Sequence, residues 1–293
     1  AHTLWLGIGL VQLLRAIPRP RAGDVTHEAI LAELRWGNGY FLKMQDADGA
    51  VFADVGGGRN GDNSDNHFTD NRPGTRDDRH VNVDKRPAIA AAFAVVEAMM
   101  ARAFAASDKA YARRCLGAAA RAFASVTLPA GDLHTLAWTA WAACELAGAT
   151  GKPVWKERAT GLVRSLLDRQ VTGPFAGQSQ LRGFFASDGA PFVHLPNAAV
   201  PALAALSFAE LELARDDAAR VREALATYCD GFLAPLAARN AYGIVPWGLW
   251  TKSTAAERYR ALGGNLVYRY FMPVWSGASW QGANGHLASH AIV

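Results

Sequence analysis

An all-α fold, a toroid of helical hairpins with its long loops on one face, is what this 293-residue sequence predicts. Three observations predict it. Segments with helical hydrophobic period follow one another with almost no strand-like alternation between them. Their links come in two sizes, tight turns and long Gly-, Asn- and aromatic-rich stretches, as expected of antiparallel helical hairpins. Residues 88–94, 118–124 and 198–205 are also unusually rich in alanine, which suits inner helices crowding together in a ring.

The predicted helices cover residues 3–14, 25–43, 87–105, 108–126, 132–149, 153–168, 195–214 and 216–233, with one more beginning near Trp280. Asp108, Asp132 and Asp216 are N-cap residue types, whose carboxylates accept the free amides of a first turn. Pro87 and Pro153 suit that turn because its N–H groups have no helical partner to lose. Gly131 and Gly151 fall where preceding helices should stop. Short links follow at 105–108, 126–132, 149–153 and 214–216, whereas 46–86, 171–194 and 234–279 are long. Short strands are expected only around 50–55, after the Asp48-Gly49 turn, and near Phe184 and Ile244. Loops of such length in a helical scaffold are where function concentrates, so a cleft is expected on their face. Residues 1–293 read as one domain. Neither end carries a cap, a Gly stop or a polar tail, and the chain opens without Met, so it reads as the middle of a larger helical protein.

With 51% hydrophobic and 19% charged residues the composition is globular and supports a full core. Thirty Lys and Arg against 26 Asp and Glu is nearly balanced, and the arginines are scattered, which argues against nucleic acid as a partner. The apolar stretch 88–106 is interrupted by Glu97 and Arg102, so it reads as a core helix and not a membrane span. Cys115, Cys144 and Cys229 are too sparse for a disulfide framework or a cysteine zinc site. Glu97, Glu145 and Glu210 each interrupt an apolar helix, and a solvent-facing or inter-helix ion-pair role is expected of them. His134, opening a helix that carries Trp138 and Trp141, reads as structural. No cofactor is expected. Asp62, Asn63 and Asp65 offer three oxygens to a calcium ion, but a solvated Gly/Asn turn is the default for that loop. His286 and His290 stand one helical turn apart without a third ligand, so no metal site is assigned.

Carboxylates within the chain do not form an evident catalytic pair. Asp77 and Asp78 sit between Arg76 and Arg79, where surface ion pairing is the ordinary role. Asp188 suits a turn, and Asp54, after a short strand, could line the cleft. Aromatic and polar residues of the loops are better supported, because sugar rings stack on aromatic planes while His, Asn and Arg read hydroxyls. His67, Arg79, His194, Trp247, Tyr270, Trp275, Trp280 and Asn284 are the foremost candidates for contacting a carbohydrate, with Phe184, Phe185, Trp250 and Tyr268 beside them.

The most specific local signal runs from Arg35-Trp36-Gly37 through Phe41-Leu42-Lys43-Met44-Gln45 to Asp48-Gly49 and Val51-Phe52, a helix that turns into a short strand. It resembles the "WG…LKMQ…DG.V" stretch of glycoside hydrolase family 9, the inverting, cellulase-type six-hairpin enzymes. Asp65-Asn66-His67 followed by Asp78-Arg79, the Pro- and Ala-rich start at Arg86-Pro87-Ala88, and Trp280-Gln281-Gly282-Ala283-Asn284 are similar to further motifs of that family in the same order. The resemblance implies an (α/α)6 toroid, incomplete here, and hydrolysis of an oligo- or polysaccharide with inversion. In that mechanism an Asp activates water and a Glu protonates the leaving oxygen, the two roughly 6.5–9.5 Å apart. By the same resemblance those two residues lie upstream of His2 and downstream of the Trp280 helix, outside this chain, which alone is expected to be inactive. His67 and Trp280 match positions that line sugar subsites. Asn284 and Asn71 stand where many family cellulases carry Arg and an aromatic residue, so the resemblance does not extend to cellulose itself. It also implies a secreted or periplasmic protein. Two other readings stay open: a toroid sugar epimerase working through His194 with His286 or His290, and a non-catalytic scaffold that binds glycan or protein.

Overall fold

Capping and burial together decide where the helices begin and end. The computed structural model describes residues 2–17, 25–56, 72–75, 78–173, 181–187, 190–191, 199–245, 248–251, 260–263, 266–269, 288–289 and 291–293. They fall into two units, Ala1–Thr127 and Leu128–Val293.

The first unit holds α1 (His2–Ala16), α2 (Val25–Lys43), β1 (Phe52–Gly56), β2 (His80–Lys85), α3 (Pro87–Ala103) and α4 (Lys109–Ser125). Asp108 caps α4 by accepting from the Tyr111 amide at 2.9 Å, and Pro87 occupies the first turn of α3. Every residue of α3 from Ala90 to Ala101 is buried, which small side chains permit by letting neighbouring helices approach on all sides. It packs against α1 and α4. The alanines of α4 behave differently from expectation. Ala118, Ala119 and Ala122 are buried, but Ala124 is exposed, so α4 carries a single apolar stripe and is not an inner helix.

Strand β2 was not expected. It pairs antiparallel with β1, Asp54 opposite Asn82 and Gly56 opposite His80, with a bulge between Phe52 and Asp54. Its alternating Val81 and Val83 are 47% and 73% exposed, so the strand has no core face. Pairing with β1 and anchorage of Lys85 to Asp46 (2.5 Å) and Asp48 (2.8 Å) hold it instead.

The second unit holds α5 (Leu133–Thr150), α6 (Pro153–Leu167), β3 (Ala186–Ser187), β4 (Ala190–Pro191), α7 (Val200–Glu210), α8 (Ala218–Tyr228), a π-helical turn (Cys229–Leu233), α9 (Ala234–Ala237), β5 (Gly248–Thr251), β6 (Arg260–Gly263) and β7 (Leu266–Arg269). Asp132 caps α5 through the His134 and Thr135 amides, and Gly151 ends it with φ 65°. α5 and α7 are buried along most of their length, whereas α6 and α8 bury one stripe each. α5 packs on α6 and α7, and α7 packs on α8. Strands β3 and β4 form a hairpin, and β5, β7 and β6 form a three-stranded antiparallel sheet in that order, more strand than Ile244 alone suggested.

In each unit the tight turns follow the helices buried on all sides, α3, α5 and α7. The long segments follow helices with one apolar stripe, α2 and α6. That alternation is the one a ring of hairpins requires, and the fold class is all-α with short accessory strands. Two starts differ from expectation. The N-cap position of α8 falls on Asp217 and not on Asp216, and that carboxylate makes no cap hydrogen bond because it accepts from both Nε and Nη2 of Arg164 at 2.9 Å. The seventh helix runs only from Val200 to Glu210. Among the described residues no helix is long and apolar enough to cross a membrane.

Candidate functional site

Two of the three long segments begin at junctions built alike, one in each unit. At the first, Gln45 follows α2 and pairs with Val51 in an isolated bridge. Its Nε2 donates to the Gly49 carbonyl at 3.0 Å and to the Ala118 carbonyl of α4 at 2.9 Å, while its Oε1 accepts from Arg121 Nη2 at 2.9 Å. Gly49 has φ +89°, and a Cβ there would lie 2.6 Å from the Arg121 carbonyl oxygen. At the second, Gln170 follows α6 and pairs with Phe185. Its Nε2 donates to the Gly183 carbonyl at 2.9 Å and the Ala224 carbonyl of α8 at 2.8 Å. Gly183 has φ +92°, and a Cβ would collide with the Thr227 carbonyl. Both positions therefore demand glycine for conformation and for space. Nearby, the π-helical turn presents the Gly231 carbonyl to the Arg182 amide at 3.2 Å.

In the first unit a groove of about 650 Å³ lies beside α1 and α2, the size of a ligand pocket. Its walls are mainly apolar, with Leu6, Leu10, Leu34, Phe41 and Met100. Trp36, 79% exposed, and Tyr40 supply aromatic surface, and Val55 of β1 and Arg79 complete the lining. Burial raises the Tyr40 hydroxyl above its ordinary pKa, against a hydrogen bond with the Val55 backbone.

Between α2, α3 and α4 lies a buried polar cluster of Asn38, Glu97, Tyr111 and Cys115. Asn38 Nδ2 donates to Tyr111 Oη at 2.9 Å and Glu97 Oε2 at 3.2 Å, and reaches Cys115 Sγ at 3.6 Å. Glu97 is fully buried and not solvent-facing, and in place of the expected inter-helix ion pair it accepts the inter-helix hydrogen bond from Asn38. Burial pushes its pKa up to about 8, opposed by hydrogen bonds from Asn38 and Cys115 and by the charge of Arg114. The same burial raises Tyr111 to about 12 and holds the Cys115 thiol well above its usual value. A carboxyl poised near neutrality suits a general acid, but this one is fully buried and does not itself line the groove, which it adjoins through Asn38. Glu145 is likewise buried and accepts from Ser207 Oγ at 3.0 Å. Glu210, by contrast, is exposed as expected.

Of the foremost sugar-contact candidates, Arg79 is exposed and lines the groove. His67, His194, Trp247, Tyr270, Trp275, Trp280 and Asn284 lie outside the described residues, as do Asp62, Asn63, Asp65, Asp77, Asp188, His286 and His290. Phe184 and Phe185 belong to the core and not to a cleft: both are buried, against Phe232 at 5.8 Å and Tyr228 at 6.1 Å between ring centres. Trp250 and Tyr268 are placed only by strand register, opposite Val267 and Leu249. Asp54 is exposed on β1 and lines a small pocket beside Tyr40. Asp78 accepts from the Gly74 amide at 2.5 Å, bracing its loop. Lys85 holds Asp46 and Asp48 below the usual carboxylate range through its hydrogen bonds. Among the described residues no three His, Cys, Asp or Glu side chains gather in a metal-binding group.

The paired glutamines were missed, although the sequence holds their signal. Leu42 precedes Gln45 and Leu167 precedes Gln170 by three residues, and Gly49 and Gly183 stand two residues before Val51 and Phe185. The unequal spacing between Gln and Gly in the two junctions hides the repeat.

The profile of Glycosyl hydrolase family 9 matches residues 3–186. Among solved structures, glycoside hydrolase family 9 endoglucanase J30 is similar at 22% identity, with a TM-score of 0.53, covering 83% of this chain and 44% of its own. A single-mutant thermostable endoglucanase from Alicyclobacillus acidocaldarius matches at 19% identity and TM-score 0.53, over 83% of this chain and 46% of that one. AaCel9A, solved with a cellobiose-like isofagomine, matches at 22% identity and TM-score 0.53 over the same shares of 83% and 46%. At such identities the likeness establishes the fold. The chain spans less than half the length of these structures. No curated protein matches the sequence.

Proposed function

Because this chain belongs to glycosyl hydrolase family 9, we propose that the protein cleaves glycosidic bonds of an oligo- or polysaccharide with inversion at the anomeric carbon. The match over residues 3–186 carries this reading, since it takes in α1 to α6 and the two segments that follow Gln45 and Gln170. The similar fold seen with a cellobiose-like isofagomine supports a carbohydrate as the substrate.

Inversion needs one carboxylate to activate water and another to protonate the leaving oxygen across a gap of roughly 6.5–9.5 Å. Glu97 cannot serve, being sealed in the core, and Asp46 and Asp48 are engaged with Lys85. In this reading other carboxylates of the intact protein supply the acid and the base. This chain supplies sugar contacts, with the Arg79 guanidinium donating to hydroxyls at the groove. His67, His194, Trp247, Tyr270, Trp275, Trp280 and Asn284 stack on rings or read hydroxyls, all within a single toroid domain of an exported protein. The chemistry calls on no cofactor.

The test is hydrolysis of soluble polysaccharides by the full-length protein, with NMR of the first-formed product. The expected result is release of reducing ends whose initial anomer is opposite to that of the bond cleaved. Retained configuration, or no release from any glycan, refutes the reading.

A further inference from the structure

We propose that Gln45 and Gln170 are equivalent positioning residues, each fixing the take-off of a β-hairpin whose chain leads to a sugar-contacting histidine, His67 beyond β1 and His194 beyond β4. The proposal rests on the glycosidase reading above. It starts from a coincidence of geometry in two places that differ in almost everything else.

In both junctions a carboxamide at the end of a striped helix spends both N–H groups on backbone carbonyls, one in its own turn and one on a neighbouring striped helix. In both, the glycine whose carbonyl is clasped has positive φ and rests against a carbonyl three residues further along that same helix. These are Arg121 after Ala118 and Thr227 after Ala224, one helical turn on. In both, the residue after the bridge opens a strand: Phe52 follows Val51, and Ala186 follows Phe185. Between Gln and Gly, however, the first junction has a four-residue turn from Gln45 to Gly49, while the second runs thirteen residues from Gln170 to Gly183. The length of chain between differs, and what is held constant is the clasp itself: one carbonyl in the turn, one on the neighbouring helix, and a strand opening after the bridge.

Filling space does not require this arrangement. An apolar side chain would occupy the same volume, but only a two-donor carboxamide ties the strand to helix carbonyls in one register. The consequence for a site is visible at the first junction. The β1–β2 pairing sets Gly56 opposite His80, so the clasp that fixes β1 also fixes the position of Arg79 at the groove. Polar groups that read a ligand need such placement, since displacement by about 1 Å is enough to cost up to about 100-fold in kcat/KM.

The experiment uses the full-length protein with Gln45 and Gln170 each changed to Leu, which removes the donors, and to Asn, which keeps a carboxamide one methylene short. Val163→Ala, a buried change on α6 that leaves both clasps intact, is the stability control. Steady-state kinetics on a soluble oligosaccharide and hydrogen exchange of the β1 and β3 amides are read together. The expected result is KM raised roughly 10- to 100-fold in the Leu variants and less in the Asn variants, kcat nearly unchanged, and faster exchange in the strand next to the altered clasp. Val163→Ala should lower the melting temperature with KM unmoved. Faster exchange with wild-type KM, or the same rise in KM for Val163→Ala, overturns the proposal, as does a variant that changes neither readout. Failure of the wild-type protein to act on any glycan appears before a variant is made, and it removes the glycosidase reading and this inference together.

Discussion

Replacing Glu97 by Gln keeps the shape of a fully buried side chain and removes its proton equilibrium. An exposed glutamate titrates near 4.5, and burial among α2, α3 and α4 raises this one to about 8. A raised carboxyl pKa means that between these two values the folded protein holds a proton the unfolded chain has already lost. Stability therefore falls as pH rises from 4.5 to 8 and levels off above 8, and below 4.5 the group contributes nothing. At about 1.4 kcal/mol per pH unit, the loss is about 3 kcal/mol at pH 7 and about 5 kcal/mol by pH 8. The Glu97→Gln variant would avoid that loss, and its new amide could donate to Asn38 Oδ1, which has no hydrogen-bond partner among the described residues. Urea unfolding of the wild type and Glu97→Gln between pH 4.5 and 8.5 is the assay. The variant should match the wild type at pH 4.5 and exceed it by several kcal/mol at pH 8. A difference independent of pH, or a variant less stable at pH 8, would refute the assignment of a neutral, buried Glu97.

Other consequences can be measured by thermal or denaturant unfolding. Gly183→Ala must force a side chain into positive φ and onto the Thr227 carbonyl, so a loss above about 3 kcal/mol is expected, whereas Gly151→Ala meets open space and should lose only about 1 kcal/mol. Equal losses would show that the close approach at Gly183 does not matter. Arg164→Ala leaves the mostly buried Asp217 carboxylate without its bidentate partner, so the unfolding midpoint should fall, and an unchanged midpoint would show that the pair contributes nothing to stability. Trp138→Ala empties a buried site stacked on Trp141 with ring centres 5.5 Å apart, and should cost about 3–5 kcal/mol. A smaller effect would mean that α5 closes over the cavity.

Within the described part of the site, legibility followed the reach of each interaction. Arg79 was picked out by its place in a family-like motif, and the groove beside it confirms a surface position without telling what it binds. Phe184 and Phe185 look from the sequence like loop aromatics available to a sugar. They pack with Tyr228 and Phe232, which stand more than forty residues away in the chain and could not be paired with them by pattern. The clasps were hidden for the same reason, since Gln45 and Ala118 are 73 residues apart and the motif Gln…Gly has a different length each time.

Local pattern alone determined most of the helices of this protein. The 3.6-residue period, the caps at Asp108 and Asp132, the prolines at 87 and 153 and the stop at Gly151 act within one or two turns, so the chain carries them wherever it folds. Tertiary structure alone decided which helix is buried on every side, which Glu loses its charge, whether Asp217 caps a helix or holds Arg164, and that two solvent-facing valines lie on a strand. Those outcomes depend on partners brought in from distant sequence and on the water they displace, and neither is written in the residues nearby.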